Sequence, residues 1–179
     1  DNYVESLEHL DDRNCLDYAL ILYDLSICYY FKGDYKAFCS YSDISLSIMK
    51  DIYKCNDWHY FYYQREIVEK ILQQEDYIRA KNRIEDILEN CVGLPDSELV
   101  YYYKQLSVCF SVISYDYHKA LTFIKKAIDI ANSSYDFENK EDLLSYSGLI
   151  HNIADLLMEY GTVENNIDYL RKSEVYAQI

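Results

Sequence analysis

The chain has 179 residues, half of them apolar, with one Pro, four Gly and a formal net charge of −14. This composition excludes a disordered segment, because enough apolar side chains are present to form a core. The scarcity of Pro and Gly favours long helices over many short strands. The acidic balance disfavours direct binding to nucleic acid or to an acidic membrane surface, so we expect neither partner.

No sequence pattern indicates a metal, a cofactor or a catalytic centre. The Cys residues include no Cys-x-x-Cys pair, and most of them fall on apolar faces, where Cys acts as a small hydrophobe. The four His are not spaced as ligand pairs, and no phosphate loop or nucleophile elbow is found. We therefore expect no enzyme and no cofactor. Unpaired thiols and the lack of a visible signal peptide favour the cytoplasm, and because residue 1 is Asp rather than Met we expect a fragment of a larger protein.

Apolar residues recur with the period of an α-helix, and they predict about eight helices joined as four antiparallel hairpins. Residues 1–12 form an acidic stretch whose apolar pattern is too short to assign alone, and we interpret it as a frayed or lead-in helix. Gly33 is expected to end the first helix, and the second helix runs to about residue 54. The residues predicted to begin later helices are Asp34, Asp57, Asp76, Pro95, Asp116 and Thr162.

The sixth helix has the clearest pattern of the repeat. In the sixth helix, Asp116 opens a stripe formed by Ala120, Ile124, Ala127, Ile128 and Ala131. A polar loop over 132–140 follows. The seventh helix is predicted over 143–160, with Gly161 as its C-terminal glycine and Thr162 as the cap of the eighth helix.

The predicted hairpin turns repeat at intervals of roughly 40 residues, a period typical of a helical solenoid. Three of the four turns carry Asp followed by Tyr, and small residues recur at fixed distances after them. The aligned turns are Gly33-Asp34-Tyr35, Glu75-Asp76-Tyr77, Tyr115-Asp116-Tyr117 and Gly161-Thr162-Val163. Small residues at these positions let paired helices approach closely, so the repeat predicts a stack of similar hairpins.

On these residues the chain resembles a tetratricopeptide repeat (TPR) array. The matching positions are Ser26, Gly33, Asp34, Tyr35 and Ser45 in the first unit; Asp76, Tyr77 and Ala80 in the second; Asp116, Tyr117, Ala120, Phe123 and Ala127 in the third; and Ala154, Gly161, Tyr169 and Ser173 in the fourth. Phe38 and Asn166 depart from the pattern, because the family usually has Ala there. The units are also longer than the usual ~34 residues, a feature similar to sensor domains of bacterial peptide-responsive transcription regulators.

The resemblance implies an all-α fold, an α-α superhelix of about four hairpins. It implies one TPR-like domain over 1–179, with units at about 12–55, 56–93, 94–134 and 138–179. In such arrays the first helix of each unit lines a concave surface that binds a peptide. The resemblance therefore implies peptide- or partner-binding residues at Tyr23, Ile27, Tyr30, Tyr62, Arg65, Glu69, Gln73, Tyr101, Lys104, Val108, His151, Asp155 and Glu159.

Two interpretations of these residues remain open. The Tyr residues suit a recognition surface, but they also suit packing between helices, and His151 could be a solvated side chain. Glu69, Asp155 and Glu159 would repel an acidic peptide, so we expect a basic or apolar ligand. The expected function is a protein- or peptide-binding module in a bacterial regulator or signalling protein. The alternative is a self-association module, because Val175 and Ile179 leave an apolar end on the last helix.

Overall fold

The computed structural model describes residues 15–53 and 57–178, and every regular element in these ranges is an α-helix. This confirms the predicted all-α fold class. The helices are α1 (Leu16–Phe31), α2 (Tyr35–Tyr53), α3 (Trp58–Gln73), α4 (Tyr77–Asn90), α5 (Asp96–Ser114), α6 (Tyr117–Ser134), α7 (Lys140–Val163) and α8 (Ile167–Ala177). The acidic stretch 1–12, the predicted end of the second helix at residue 54, and Ile179 lie outside the described residues.

Carboxylates begin four of the helices at the predicted positions. In each case a side-chain oxygen accepts a hydrogen bond from a backbone N–H of the first turn, which would otherwise have no partner within the helix. The distances are 3.0 Å at Asp34, 2.8 Å at Asp57, 3.1 Å at Asp76 and 3.1 Å at Asp116. The fifth helix begins directly after Pro95, also as predicted.

The four hairpin turns share one backbone geometry. In each turn, the residue just before the cap has a positive φ: 79° at Gly33, 58° at Glu75, 52° at Tyr115 and 50° at Asn165. This left-handed residue follows the end of one helix, and the Asp or Asn after it begins the next helix. The repeat inferred from the sequence is thus a repeat of turn geometry, although only Gly33 adopts that geometry without a steric cost.

The predicted fourth turn is wrong. Helix α7 begins at Lys140, capped by Asn139, and continues through Gly161 to Val163. The cap of α8 is Asn166 rather than Thr162, with its Oδ1 3.0 Å from the Asp168 N–H. A glycine ends a helix only where it takes a positive φ, and Gly161 does not. Asn166 is therefore a helix cap, and it does not correspond to the Ala that the TPR pattern usually has at this position.

Gly161 stays helical because α8 packs directly against it. A Cβ atom built at this position would lie 2.9 Å from Leu170 Cδ2 and 3.0 Å from the Leu170 backbone nitrogen. The second contact is with backbone, so it can be relieved only by moving α8. Gly161 therefore allows α7 and α8 to approach closely. This is the role predicted for the small residues of the repeat.

Gly161→Ala should lower the free energy of unfolding by about 2 kcal/mol. Ala favours a helix over Gly by about 1 kcal/mol, but overpacking against Leu170 costs about 1–3 kcal/mol, and the clash with backbone places this site toward the upper end. Gly148→Ala is the matched control in the same helix, since its Cβ would meet only Lys104 Nζ at 3.5 Å. Urea denaturation should show opposite signs for the two variants, and a gain in stability for Gly161→Ala would contradict the packing.

The contacts divide the chain into two compact units. The first takes in the described residues up to Glu75 together with Asn90–Gly93, and the second takes in Asp76–Glu89 and the described residues from Leu94 onward. In the first unit α1 packs on α2. Its core includes the fully buried Phe38 and Met49, and the buried Ser45 hydroxyl donates to the Ala19 carbonyl oxygen at 2.6 Å. This bond ties α1 to α2.

In the second unit α5 packs on α6, and α7 packs on both α6 and α8. The predicted stripe of α6 is buried: Ala120, Ile124, Ala127 and Ala131 are each 0% exposed, with Ile128 half-buried. Cys39 in the first unit and Cys109 in the second are also buried, which confirms their prediction as small hydrophobic residues. Burial raises the pKa of the Cys109 thiol to about 12.

Candidate functional site

A cavity of about 130 Å³ opens between α5 and α7 in the second unit. Three predicted binding residues, Val108, Asp155 and Glu159, meet in it. The residues that line it are Ser107, Val108 and Ser111 of α5 and Asn152, Asp155, Leu156 and Glu159 of α7. We call this site the acidic cavity.

Helical periodicity explains why these side chains share one site. On α7 the lining residues are spaced by three or four positions, which places them on one face of the helix. The same spacing joins Val108 and Ser111 on α5. The opposite face of α7 carries the buried Ile153 and Leu157. The cavity is therefore built by two rigid helices rather than by a loop.

A buried hydroxyl without a hydrogen-bond partner lies at this cavity. Ser107 is 0% exposed, and among the described residues its Oγ has no partner. The buried Ser26 and Ser45 differ, since their hydroxyls donate to backbone carbonyls at 2.7 Å and 2.6 Å. A buried hydroxyl without a partner costs about 1–3 kcal/mol. Because Ser107 is fully buried, a ligand in the acidic cavity would reach this hydroxyl only after a local movement of the side chain.

The two carboxylates give the cavity its charge. No Lys or Arg lines it, and within residues 15–53 and 57–178 neither Asp155 nor Glu159 forms an ion pair with a Lys or Arg. Asp155 Oδ2 lies 3.3 Å from His151 Nε2 at the exposed edge, where the His151 side chain is 77% exposed. Burial and the Glu159 carboxylate together raise the pKa of the neighbouring Tyr117. The site can therefore attract a cation.

Two further predicted residues of α5 lie outside the lining of this cavity. Lys104 extends toward α7, where its Nζ would lie 3.5 Å from a Cβ at Gly148. Tyr101 is half-buried, and its ring lies 5.2 Å from that of Tyr102. His151 sits beside the cavity through its contact with Asp155.

In the first unit, two of the predicted residues join α1 to α3. The Tyr23 hydroxyl donates to a Glu66 carboxylate oxygen, and the Tyr30 hydroxyl donates to Gln73 Oε1 at 2.7 Å. Tyr23 is 7% exposed, so for this residue packing between helices describes the side chain better than ligand contact. The two bonds span the same sequence separation, 43 residues, as expected when α1 and α3 run alongside each other in register.

The remaining predicted residues of the first unit are at least partly exposed to solvent. Tyr62 is 56% exposed, and Ile27 is half-buried. Arg65 Nε lies 3.2 Å from Glu69 Oε1 within one turn of α3. Such a partly exposed pair is worth at most about 1 kcal/mol. These residues lie on α1 and α3 of the first unit, apart from the residues that line the acidic cavity.

Carboxylates of α1 and α3 come close together in the first unit. Burial, followed by the nearby Glu66 carboxylate, raises the pKa of Asp24 above its ordinary value. Burial and Glu66 also raise the pKa of the Tyr23 phenol, which keeps the proton that it donates to Glu66. The ionised form of Asp24 is thus disfavoured by folding.

Asp24→Asn should stabilise the protein at neutral pH. The pKa of Asp24 is higher in the folded state than in the unfolded state, where it has the ordinary value of about 4. The free energy of unfolding therefore falls as pH rises from about 4 through the raised pKa of the folded state. Asn removes this loss. Melting temperatures measured from pH 4 to pH 8 should show an advantage for Asn that grows with pH. Asp51→Asn removes the same charge from an exposed position of α2 and so controls for net charge. If the melting temperature of Asp51→Asn gained as much with rising pH as that of Asp24→Asn, the role of Glu66 would be contradicted.

Several residues of the site escaped prediction. Ser111 lies three positions after Val108, and Asn152 lies three positions before Asp155, so a search of whole helix faces would have found both. Glu66 follows Tyr23 at the same separation as Gln73 follows Tyr30. No sequence signal distinguishes Ser107, whose hydroxyl has no partner among the described residues.

No helix in ranges 15–53 and 57–178 has the length and apolar character to cross a bilayer. No group of three or more His, Cys, Asp or Glu side chains in the described part of the chain is arranged as metal ligands.

Comparisons with known proteins bear on the fold. No protein-family model matches the chain, and no curated protein sequence matches it. Solved structures do match. The structure of a putative kinesin light chain from Podosopora anserina with nearly identical TPR-like repeats shares 12% identity at a TM-score of 0.70, covering 98% of this chain and 82% of that one.

Two other solved structures match over the same extent of this chain. BtubC (BKLC) from P. vanneervenii shares 15% identity at a TM-score of 0.67, covering 98% of this chain and 70% of its own. The apo form of RapI shares 15% identity at a TM-score of 0.63, covering 98% of this chain and 60% of its own. With its eight described helices, its repeated turn geometry and these structural neighbours, the chain has the all-α, TPR-like helical repeat fold.

Proposed function

We propose that the chain is a protein- or peptide-binding module whose partner places a basic side chain in the acidic cavity. The observation that carries this proposal is the meeting of two carboxylates, Asp155 and Glu159, with the buried Ser107 hydroxyl at one cavity. Val108 and Leu156 add apolar surface for the aliphatic part of a Lys or Arg. The proposal assigns binding, and no catalysis, to this site.

The dimensions and charge of the cavity fit one side chain of a larger partner. About 130 Å³ is room for roughly four waters at ~30 Å³ each, which suits the end of a single Lys or Arg. Asp155 and Glu159 are four residues apart on one helix face, so both can reach one guanidinium or ammonium group. The net charge of −14 adds a long-range attraction for a basic partner.

Selection from a random peptide library displayed on phage tests this function. We expect the wild-type protein to enrich peptides rich in Lys or Arg, with few acidic residues. A matched selection uses Asp155→Asn/Glu159→Gln, and its control uses Glu138→Gln/Glu174→Gln, which removes the same charge from exposed positions outside the cavity. The basic enrichment should persist with the control and disappear with the cavity variant. Enrichment of acidic peptides, or none at all, would overturn the proposal.

We also propose that the module is the cytoplasmic sensor or scaffold part of a bacterial transcription regulator or signalling protein. The long repeat units, with turns such as Gly33-Asp34-Tyr35 spaced by roughly 40 residues, support this context. The full-length gene tests it. A helix-turn-helix or ATPase domain in the same polypeptide would support this context, and its absence would remove it.

A second candidate function is self-association through the last described hairpin. Three apolar residues there are well exposed: Val163 at 66%, Ile167 at 62% and Val175 at 61%. Exposed apolar surface at the end of a helical repeat favours contact with another copy. Sedimentation velocity at several protein concentrations tests this, and a monomer at all of them would count against it.

A further inference from the structure

A second cavity, of about 290 Å³, lies on the other side of α7 from the acidic cavity and is formed by residues of α6, α7 and α8. Its polar lining consists of His118, Thr122, Lys125, Tyr169, Lys172 and Tyr176. We call this site the basic cavity. All of its residues belong to the second unit.

The charge of the basic cavity is opposite to that of the whole chain. The sequence holds 31 Asp and Glu against 17 Lys and Arg, yet no carboxylate lines this cavity. Among the described residues, neither Lys125 nor Lys172 has an ion-pair partner. Lys172 Nζ instead lies 5.5 Å from the centre of the Tyr169 ring. Two exposed lysines without an ion-pair partner among the described residues therefore line one partly open cavity.

Aromatic contacts hold the imidazole at this cavity. His118 Nε2 lies 2.5 Å from the Tyr160 hydroxyl, and the Tyr160 ring lies 4.7 Å from the Tyr169 ring. Because Nε2 is engaged with Tyr160, the other ring nitrogen, Nδ1, is left to contact a ligand. The imidazole thus joins the two lysines as a possible donor with its position fixed by packing.

The walls of the basic cavity are apolar. Leu121, Ile153 and Leu157 line it, and they are 6%, 1% and 4% exposed. With the rings of Tyr169 and Tyr176 they offer contacts to a hydrocarbon or aromatic group. A volume near 290 Å³ is at the lower end of the range of about 300–1,000 Å³ for small-molecule sites.

We propose that the basic cavity binds a phosphate or carboxylate group carried on a small apolar or aromatic body. Lys125 and Lys172 provide the charge, His118 and the Tyr hydroxyls provide hydrogen bonds, and the buried walls take up the apolar part. Ammonium groups bind such anions as point charges. The anion is either a free small molecule or an acidic side chain of a protein, and both sources present the same chemistry to this site.

Isothermal titration calorimetry with phenyl phosphate tests the proposal, with phenol as the neutral control. A peptide containing phosphotyrosine between Ala residues represents the protein-borne form. The variants are Lys125→Gln and Lys172→Gln. Their matched controls are Lys126→Gln and Arg171→Gln, which remove the same charge from the adjacent positions and do not line the cavity. Circular dichroism confirms that each variant is folded.

We expect binding of phenyl phosphate and not of phenol. Each cavity variant should weaken binding by about tenfold, whereas the controls should change it by less than about twofold; added NaCl should weaken it further. Binding of the peptide alone, with the same variant pattern, would support the proposal with a protein as the source. Absence of binding by both probes, or equal losses in the cavity variants and the controls, would overturn it.

Discussion

Reversing the charge of the acidic cavity with Asp155→Lys/Glu159→Lys should lower the affinity for selected basic peptides by about a hundredfold. Each carboxylate contributes roughly 0.2–1 kcal/mol of attraction at this partly exposed site, and each introduced Lys replaces that attraction with a comparable repulsion. Together the four terms amount to about 1–4 kcal/mol, and a value near the middle of that range corresponds to about a hundredfold in Kd. Fluorescence anisotropy with a labelled peptide from the selection measures it.

The control for this variant is Glu138→Lys/Glu174→Lys, which changes the net charge by the same amount at exposed positions outside the cavity. Long-range attraction alone would weaken binding equally in both variants, and more strongly at low salt. We expect the control to lose less than about fivefold at 0.15 M salt. Equal losses of affinity in the two variants would show that peptide binding depends on the net charge of the protein rather than on Asp155 and Glu159.

Phe38→Ala should lower the free energy of unfolding by about 3–5 kcal/mol. Phe38 is 0% exposed, and its ring lies 5.4 Å from the ring of Tyr30 and 5.8 Å from that of Tyr35. The TPR pattern usually has Ala at this position, so the variant restores the family residue. Here, however, the first unit has filled the space with an aromatic ring, and Ala would leave a cavity between α1 and α2.

Urea unfolding followed by circular dichroism measures this loss. Lys36→Ala is the control on the same helix, because Lys36 is exposed and its loss should change stability by less than about 0.5 kcal/mol. A loss of stability below about 1 kcal/mol for Phe38→Ala would contradict the expectation that Ala leaves a cavity between α1 and α2. It would show that the neighbouring helices close the space as they do around Ala in other repeats.

Local chemistry made most of the fold predictable. An Asp that accepts a hydrogen bond from the first turn begins a helix, and Asp34, Asp76 and Asp116 do so as predicted. The same reasoning failed at Gly161, because glycine is equally suited to a left-handed turn and to close helix packing. Only the position of Leu170 decides between the two, and that is a tertiary contact.

The candidate site was predictable in part for a similar reason. Helical period places Asp155 and Glu159 on one face of α7, and the TPR resemblance indicated which face of each helix would be available for binding. It could not indicate that Val108 would share a cavity with them, nor that the Ser107 hydroxyl would have no partner there. The basic cavity was not predicted at all, since Lys125 and Lys172 meet only because α6 and α8 both pack on α7.

If a basic partner binds between α5 and α7, backbone amide chemical shifts measured by NMR should locate it there. On titration with a selected basic peptide, the shifts should concentrate at Ser107, Val108, Ser111, Asn152 and Asp155, and they should disappear in Asp155→Asn/Glu159→Gln. Shifts confined to the first unit, or persisting unchanged in that variant, would contradict the claim.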